Sequence, residues 1–429
     1  MKKRLLALIL ALAMAFMLMA CGSTSSDDTE DADSSAAEET TEAAEDEESS
    51  YVQGVTDTEI IIGNSAATSG SYASVGVPFN AGIQAYLDMV NADGGIDGRT
   101  ISLVHYDDEY DPVKGKSYLQ QLVEDDEIFA YVGGFGTEVV SAILDDLKDY
   151  GIPSVYFATG IGDLYAEAAT TNEEGYNIFP VQPVYTTEGR VMVARAVSMG
   201  ATKIGIVYTN DDAGTNMYDG AVAQCDETGV EYVAEQVTAG SADVSSAITS
   251  IKAEDVDFVI VASNQGTMAT IVKEMASQGM TCDAITSYVN AASTMAEAVA
   301  DDIDGLFTLY SSGWIDLTTE EGAAEYATFV EWVDEEYAAN AYAMAGWIAA
   351  SIFCEGLYRV EANGEELTWA TYMAALEESP VSNPFGGDID YANGKRYGTE
   401  SMTLLYVNTE TQTFDTADAL KTIDELLGE

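Results

Sequence analysis

The stretch IFAYVGGFGTEVVSAILDDLKDYGIPSVYFATG, residues 128–160, decides the fold. A short apolar run ends in Gly133-Gly134 and then Phe135-Gly136-Thr137, an amphipathic segment follows, and a second apolar run ends in Ala158-Thr159-Gly160. This is strand, turn, helix, strand, turn, the repeating unit of a doubly wound α/β sheet. In such sheets adjacent turns emerge together at the carboxyl ends of the strands, where open sheets bind ligands. Glycine lets the main chain approach a ligand closely, and the free N–H groups of a helix start attract an anion. A threonine hydroxyl in each turn adds a donor. The pair of turns therefore reads as a clamp for a small molecule with a carboxylate-like group. Gly133-Gly134-Phe135-Gly136 is not a dinucleotide fingerprint, and no phosphate-binding GxxxxGK[ST] loop occurs, so a nucleotide site is not expected.

Outward from this unit the pattern repeats. EIIIG at residues 59–63 is a buried strand, and Pro78 is expected to open a helix carrying Phe79, Ile83, Tyr86, Leu87 and Val90 at helical spacing. Strands are expected at 101–105, 203–208, 232–237, 257–261 and 305–309, with helices at 113–123, 215–227, 244–253 and 267–278 between them. The acids of 107–111 lack the spacing of a calcium loop and read as a solvated turn before a helix.

The amino end is export machinery. Lys2, Lys3 and Arg4 precede an apolar run at residues 5–20, too short to span a bilayer with ease. Leu18-Met19-Ala20-Cys21-Gly22 resembles a bacterial lipobox, which implies cleavage before Cys21 and lipid on its sulfur. Residues 22–50 hold twelve acids and no Lys or Arg, a composition that cannot bury a core and reads as an extended tether to the membrane. The formal net charge is −58; with the three leader cations and those twelve acids set aside, residues 51–429 carry −49. Nucleic acid and anionic lipid surfaces are excluded as partners for such a field. Cys225, Cys282 and Cys354 are widely spaced; one disulfide, Cys225–Cys282, stays open, and buried thiols are the common case. His105 is the single histidine, without the partners that metal binding or His-based catalysis needs. Neither cofactor nor metal is expected, and no catalytic set is visible.

GNSAATSGSYASVG (63–76), NADGGIDGR (91–99), YDDEYDP (106–112), YVGGFGT (131–137), GIPSVYFATG (151–160), FPVQPVYTTEG (179–189) and KIGIVYTNDDAG (203–214), in this order, strongly resemble the branched-chain amino-acid binding proteins, the type I periplasmic binding proteins of ABC importers. The likeness extends through residues 342–347 and covers essentially everything from residue 58 on. It implies two Rossmann-like lobes, 56–181 with 311–384 and 182–310 with 385–429, joined by three crossings near Gln182, at 310–313 and at 384–387. It implies a solute held between closing lobes and delivered to permease subunits driven by cytoplasmic ATPases, by a monomer lipid-anchored at the extracytoplasmic face of the cell membrane. A sensory module of the same fold, signalling through a separate receptor, is the alternative; an enzyme is not expected.

The resemblance also assigns residues. The carboxylate-holding positions fall on Phe135, Gly136, Thr137, Ala158, Thr159 and Gly160; Gly160 stands where leucine binders have threonine, and Thr159 is the expected substitute. The aromatic of the apolar wall falls on Val75, with Tyr72 as a shifted replacement. In the second lobe the stacking aromatic falls on Ala213, a tyrosine on Asn264, and the acid that pairs with the ligand's ammonium on Tyr288. A buried ammonium without an acid is costly, so either Asp211 or Asp212 serves or the ligand is not a plain α-amino acid. Gln182, Tyr185, Tyr208, Asn264, Tyr288 and Asn290 offer amide and phenol groups suited to a polar or amide-bearing solute.

Overall fold

The computed structural model describes residues 52–171 and 173–428. The leader, Cys21 and nearly all of the tether lie outside these residues. Two sheets organise the rest. The first is built from β1 (Glu59–Ala66), β2 (Thr100–Asp107), β3 (Ala130–Phe135), β4 (Ser154–Ala158) and β5 (Ile178–Phe179), in the order β2-β1-β3-β4-β5 and parallel throughout. Its intervening helices are α1 (Ala73–Ala92), α2 (Pro112–Glu124) and α3 (Thr137–Tyr150). Every residue of β3 is buried, as a parallel strand covered on both faces requires.

The chain then runs through α4 (Tyr185–Ser198), β6 (Lys203–Thr209), α5 (Asp212–Thr228), β7 (Glu231–Val237), α6 (Ser245–Ala253), β8 (Phe258–Ala262), α7 (Gln265–Ser277), β9 (Asp283–Thr286), α8 (Ser293–Ile303) and β10 (Leu309–Gly313). It returns to the first sheet as α9 (Glu320–Trp332), α10 (Ala341–Asn363) and α11 (Trp369–Glu377), and ends with β11 (Ser401–Asn408), β12 (Thr413–Thr422) and α12 (Ile423–Leu427) on the second. That sheet has the order β12-β11-β10-β9-β8-β6-β7; β6 to β10 pair in parallel, and β11 and β12 add an antiparallel edge.

Several expectations shift. Pro78 lies inside α1, which starts five residues earlier behind a short 3-10 turn at Gly70–Tyr72. Residues 310–313 form strand β10, so the second crossing is the segment that follows, from Trp314 on. Residues 305–308 turn into that strand, and β9, four residues long, was not anticipated. The third crossing is also later than 384–387. Val381 bridges Ile389, the Tyr391 hydroxyl donates to the Pro180 carbonyl at 2.8 Å, and Arg396 stacks 4.2 Å from the Phe179 ring centre. These contacts keep the segment against the first sheet as far as Arg396, so the chain leaves at 397–400. Cys225, Cys282 and Cys354 are free. Among the described residues no helix is long and apolar enough to cross a membrane, and no group of three His, Cys, Asp or Glu could hold a metal.

Helix α10 is apolar almost all round because it is wedged between α1 and strands β3 and β4. Its approach to α1 needs glycine on both sides: a Cβ at Gly82 would lie 1.8 Å from the Ala343 carbonyl oxygen, and one at Gly346 would lie 1.9 Å from that of Phe79. Gly346→Ala should therefore force the helices apart and cost roughly 1–3 kcal/mol, as overpacking does, read as a lower urea midpoint at unchanged slope. A variant as stable as the parent would show that the contact yields.

Candidate functional site

The carboxyl ends of β1, β3 and β4 face those of β8, β9 and β10 across a cleft of about 350 Å³. Of the residues expected at the site, Tyr72, Phe135, Gly136, Thr137, Ala158, Gln182, Tyr185, Asn264 and Tyr288 line it. Thr159 and Gly160 sit just behind. Tyr208 does not come in; it stacks on Tyr218 at 4.1 Å on the outer part of the second sheet. Asn290 is buried but turned away, donating through Nδ2 to the Ser263 carbonyl and the Thr286 hydroxyl, both at 2.8 Å. Asp211 caps α5, accepting from the Gly214 N–H at 2.9 Å and the Thr209 hydroxyl at 2.7 Å, and Asp212 accepts from the Ser141 hydroxyl. Neither acid lines the cleft.

On the first-sheet side, Gly136 is the N-cap of α3 with φ 83°, a backbone that favours glycine. A Cβ there would lie 2.2 Å from the Tyr110 ring. Tyr110 stacks on Tyr72 at 4.1 Å and meets Phe135 edge-on at 6.4 Å. The Thr137 and Thr159 hydroxyls bond each other at 2.9 Å. Tyr185 donates its N–H to the Gly160 carbonyl at 2.7 Å, and burial pushes its phenol up to about 12. The two threonine hydroxyls expected to grip a carboxylate thus bond each other, with the Tyr110 and Tyr185 rings packed against the glycines beside them.

On the other side the decisive residue is Tyr288, standing where the resemblance implies an acid. Its N–H donates to Glu188 Oε1 at 2.7 Å, and the Ser287 hydroxyl donates to Glu188 Oε2 at 2.8 Å. Its hydroxyl donates to the Pro183 carbonyl at 2.9 Å and lies 3.3 Å from Gln182 Oε1, while Gln182 Nε2 donates to the Tyr156 hydroxyl at 2.7 Å. Tyr156 holds φ 65°, the left-handed region that costs a non-glycine residue roughly 1–2 kcal/mol. Glu188 is wholly buried; burial raises its carboxyl to about 8, opposed by the hydrogen bonds from Tyr288 and Ser287. Asn264, at the start of α7, lines the cleft with its Oδ1 buried and unpartnered.

The sequence did not single out Phe79, Tyr110, Gln265, Trp314 or Tyr342 as site residues, yet all line the cleft. Tyr110 carried a signal: it is the one aromatic inside the acid run 107–111. Trp314 could have been found as the residue following β10. None of the lining residues is charged.

The profile of the family described as periplasmic binding protein matches residues 59–412. The chain belongs to that family. Its sheet topology and helical layers are those of the type I periplasmic binding proteins. The chain is 24% identical over 232 residues to an amino acid binding protein of Pseudomonas aeruginosa, across 52% of this chain and 59% of that one, so the match spans less than two thirds of the relative's length. It superposes on a fatty acid ABC transporter substrate-binding protein from Thermomonospora curvata with a TM-score of 0.75 at 19% identity, over 88% of this chain and 96% of that one. A branched-chain amino acid ABC transporter protein from Thermus thermophilus with bound valine gives 0.73 at 16% identity, over 87% and 99%.

Glu188 makes stability pH-dependent in a stated direction. An ordinary carboxyl titrates near ~4.3, whereas Glu188 holds its proton to about 8 when folded. Between those values the folded form binds more protons than the unfolded, so this group's contribution falls as pH rises through that window. Glu188→Gln should remove the dependence: relative to the parent it gains stability as pH rises from about 4.5 to about 8 in thermal melts, and levels off above that. A parent-minus-variant difference that is flat with pH would show that Glu188 is ionised.

Proposed function

We propose that this chain is the extracytoplasmic solute-binding component of an ABC importer, held to the membrane by lipid on Cys21 and the acidic segment that follows it. It takes a small solute with a branched or aromatic body and passes it to the permease. The observation that carries this reading is the aromatic cleft itself, roofed and floored by both halves of the molecule. The family supports it, and the ligands of two of its relatives, a fatty acid and valine, share an apolar body.

The mechanism is closure. Hydrogen bonds already span the cleft: the Gly162 N–H donates to Asn216 Oδ1 at 2.8 Å, and the Tyr342 hydroxyl donates to the Val289 carbonyl at 3.1 Å. A solute touching Tyr72 and Phe135 on one side and Tyr288 and Asn264 on the other binds the closed form better than the open one and shifts the population by that difference. About 5 kcal/mol of differential affinity makes closure nearly complete. The closed form presents one continuous surface to the permease.

Trp314, buried in the cleft wall and 6.4 Å from both Tyr156 and Tyr288, should report occupancy. Its fluorescence is expected to change on binding, Trp314→Phe should abolish that change with little loss of affinity, and Trp314→Ala should weaken binding by about tenfold or more, roughly 1.4 kcal/mol. Binding that leaves both variants unaffected would place the solute elsewhere. Cys21→Ser should release the exported protein from the membrane fraction into the medium; retention would mean another anchor.

A further inference from the structure

We infer that the cleft selects an electrically neutral solute: an aromatic or branched apolar body bearing one uncharged hydrogen-bonding group, such as a primary amide or alcohol, and neither a carboxylate nor an ammonium. This rests on the reading of the cleft as the solute site and goes beyond it by naming the class.

Four observations converge. First, the anion seat at the ends of β3 and β4 is filled from within. The Thr137 and Thr159 hydroxyls bond each other at 2.9 Å, and the Tyr110 ring packs so closely on Gly136 that a Cβ there would lie 2.2 Å from it. Gly160 is hemmed in by backbone and phenols together: a Cβ there would sit 2.4 Å from the Pro183 carbonyl oxygen, 2.7 Å from the Tyr288 hydroxyl oxygen and 2.8 Å from Tyr185 Cδ1. A carboxylate would have to displace a wholly buried tyrosine. Second, no acid lines the cleft to meet an ammonium. Tyr288 already donates its hydroxyl to Pro183, Asp211 is engaged as a helix cap, and an unpaired buried charge is far costlier than a paired one. Third, the second side does offer one neutral partner. Asn264 is 9% exposed, lines the cleft, and its buried amide oxygen has no hydrogen-bond partner. A buried polar group without a partner is satisfied by a complementary group on whatever enters beside it. Fourth, the chain's formal charge of −58 opposes the approach of any anion at long range.

Matched compounds test this directly on the mature protein. Calorimetric titration would compare 3-phenylpropanamide, 3-phenylpropanoate and phenylalanine, and likewise 4-methylpentanamide, 4-methylpentanoate and leucine. In at least one series the amide is expected to bind about tenfold tighter, or more, than its carboxylate and its amino acid. An ionised compound that binds as tightly as its amide overturns the inference, and so does absence of binding by all of them. Tyr185→Ser, which opens the filled seat, should move the amide-to-carboxylate ratio about tenfold toward the carboxylate. An unmoved ratio in Tyr185→Ser, with the fold intact by circular dichroism, counts against the inference. The two readings separate through Trp314→Ala. If phenylalanine or leucine binds best and Trp314→Ala weakens it, the cleft reading stands and neutrality falls. If Trp314→Ala leaves every affinity as it was, the cleft reading falls and takes this inference with it.

Discussion

Three crossings join the two sheets, and their mutual hydrogen bonds set what the rest of the molecule can do. The Val181 carbonyl, in the first crossing, accepts from both the N–H and the hydroxyl of Thr399 in the third, at 2.7 and 2.9 Å. The Asp316 N–H, in the second, donates to the Phe385 carbonyl at 2.7 Å. The approach of the first and third is so close that a Cβ at Gly398 would lie 2.1 Å from the Gln182 carbonyl oxygen. Tying the crossings together at one edge leaves the far edge of the cleft to a few cross-cleft hydrogen bonds. Rotation about the tied edge is then the low-cost motion. Gln182 belongs to both parts, with its backbone in the crossing and its side chain between Tyr156 and Tyr288, so a change at the cleft wall is felt at the hinge.

The tyrosines of the site make sense only as a set. Tyr185 and Tyr288 need Gly160 beneath them; Tyr288 needs Glu188 to hold its N–H; and Tyr156 keeps its unfavourable φ because Phe79, Trp314 and Gln182 surround it. A side chain in a sparsely populated backbone region persists only where its neighbours over-determine it. Taken alone, each departure from the leucine binders' pattern looks like a lost contact. Together they replace one wall of the cleft by another.

Much of this was legible in the residues. The order of strand, glycine turn and helix at 128–160 identified the unit, and nine of the fourteen expected site positions line one cleft, because turns at strand ends are placed by topology rather than by side-chain detail. What escaped reading is long-range. The third crossing moved because Arg396, 1% exposed, is held by the Glu377 carboxylate at 2.6 Å and the Tyr176 carbonyl at 2.7 Å, and no local pattern announces such partners. Tyr208 and Asn290 were assigned from position along the chain, but whether a strand or loop residue faces the cleft depends on one step of register, which flips every side chain. Tyr110 escaped for a related reason: it comes from the loop after β2, and only the packing of that loop brings its ring onto Gly136.

The charge distribution completes the physical account. A chain this acidic keeps its acids off the cleft wall, and Glu188, buried beside it, is held neutral near pH 7 by the burial that raises its carboxyl to about 8. At the mouth the arrangement is the reverse. Glu138, in the first turn of α3, faces Asp211 and Asp212 at the start of α5; burial first, and then those two acids, raise its carboxyl above the ordinary range. Like charges on opposite halves repel, and the repulsion is relieved as the halves separate. With nothing in the cleft this term works against closure; apolar contact made by a solute on both sides opposes it. The open and closed forms are thus balanced by charge at the rim and by apolar contact within, and a neutral interior keeps the second from being undone by the first.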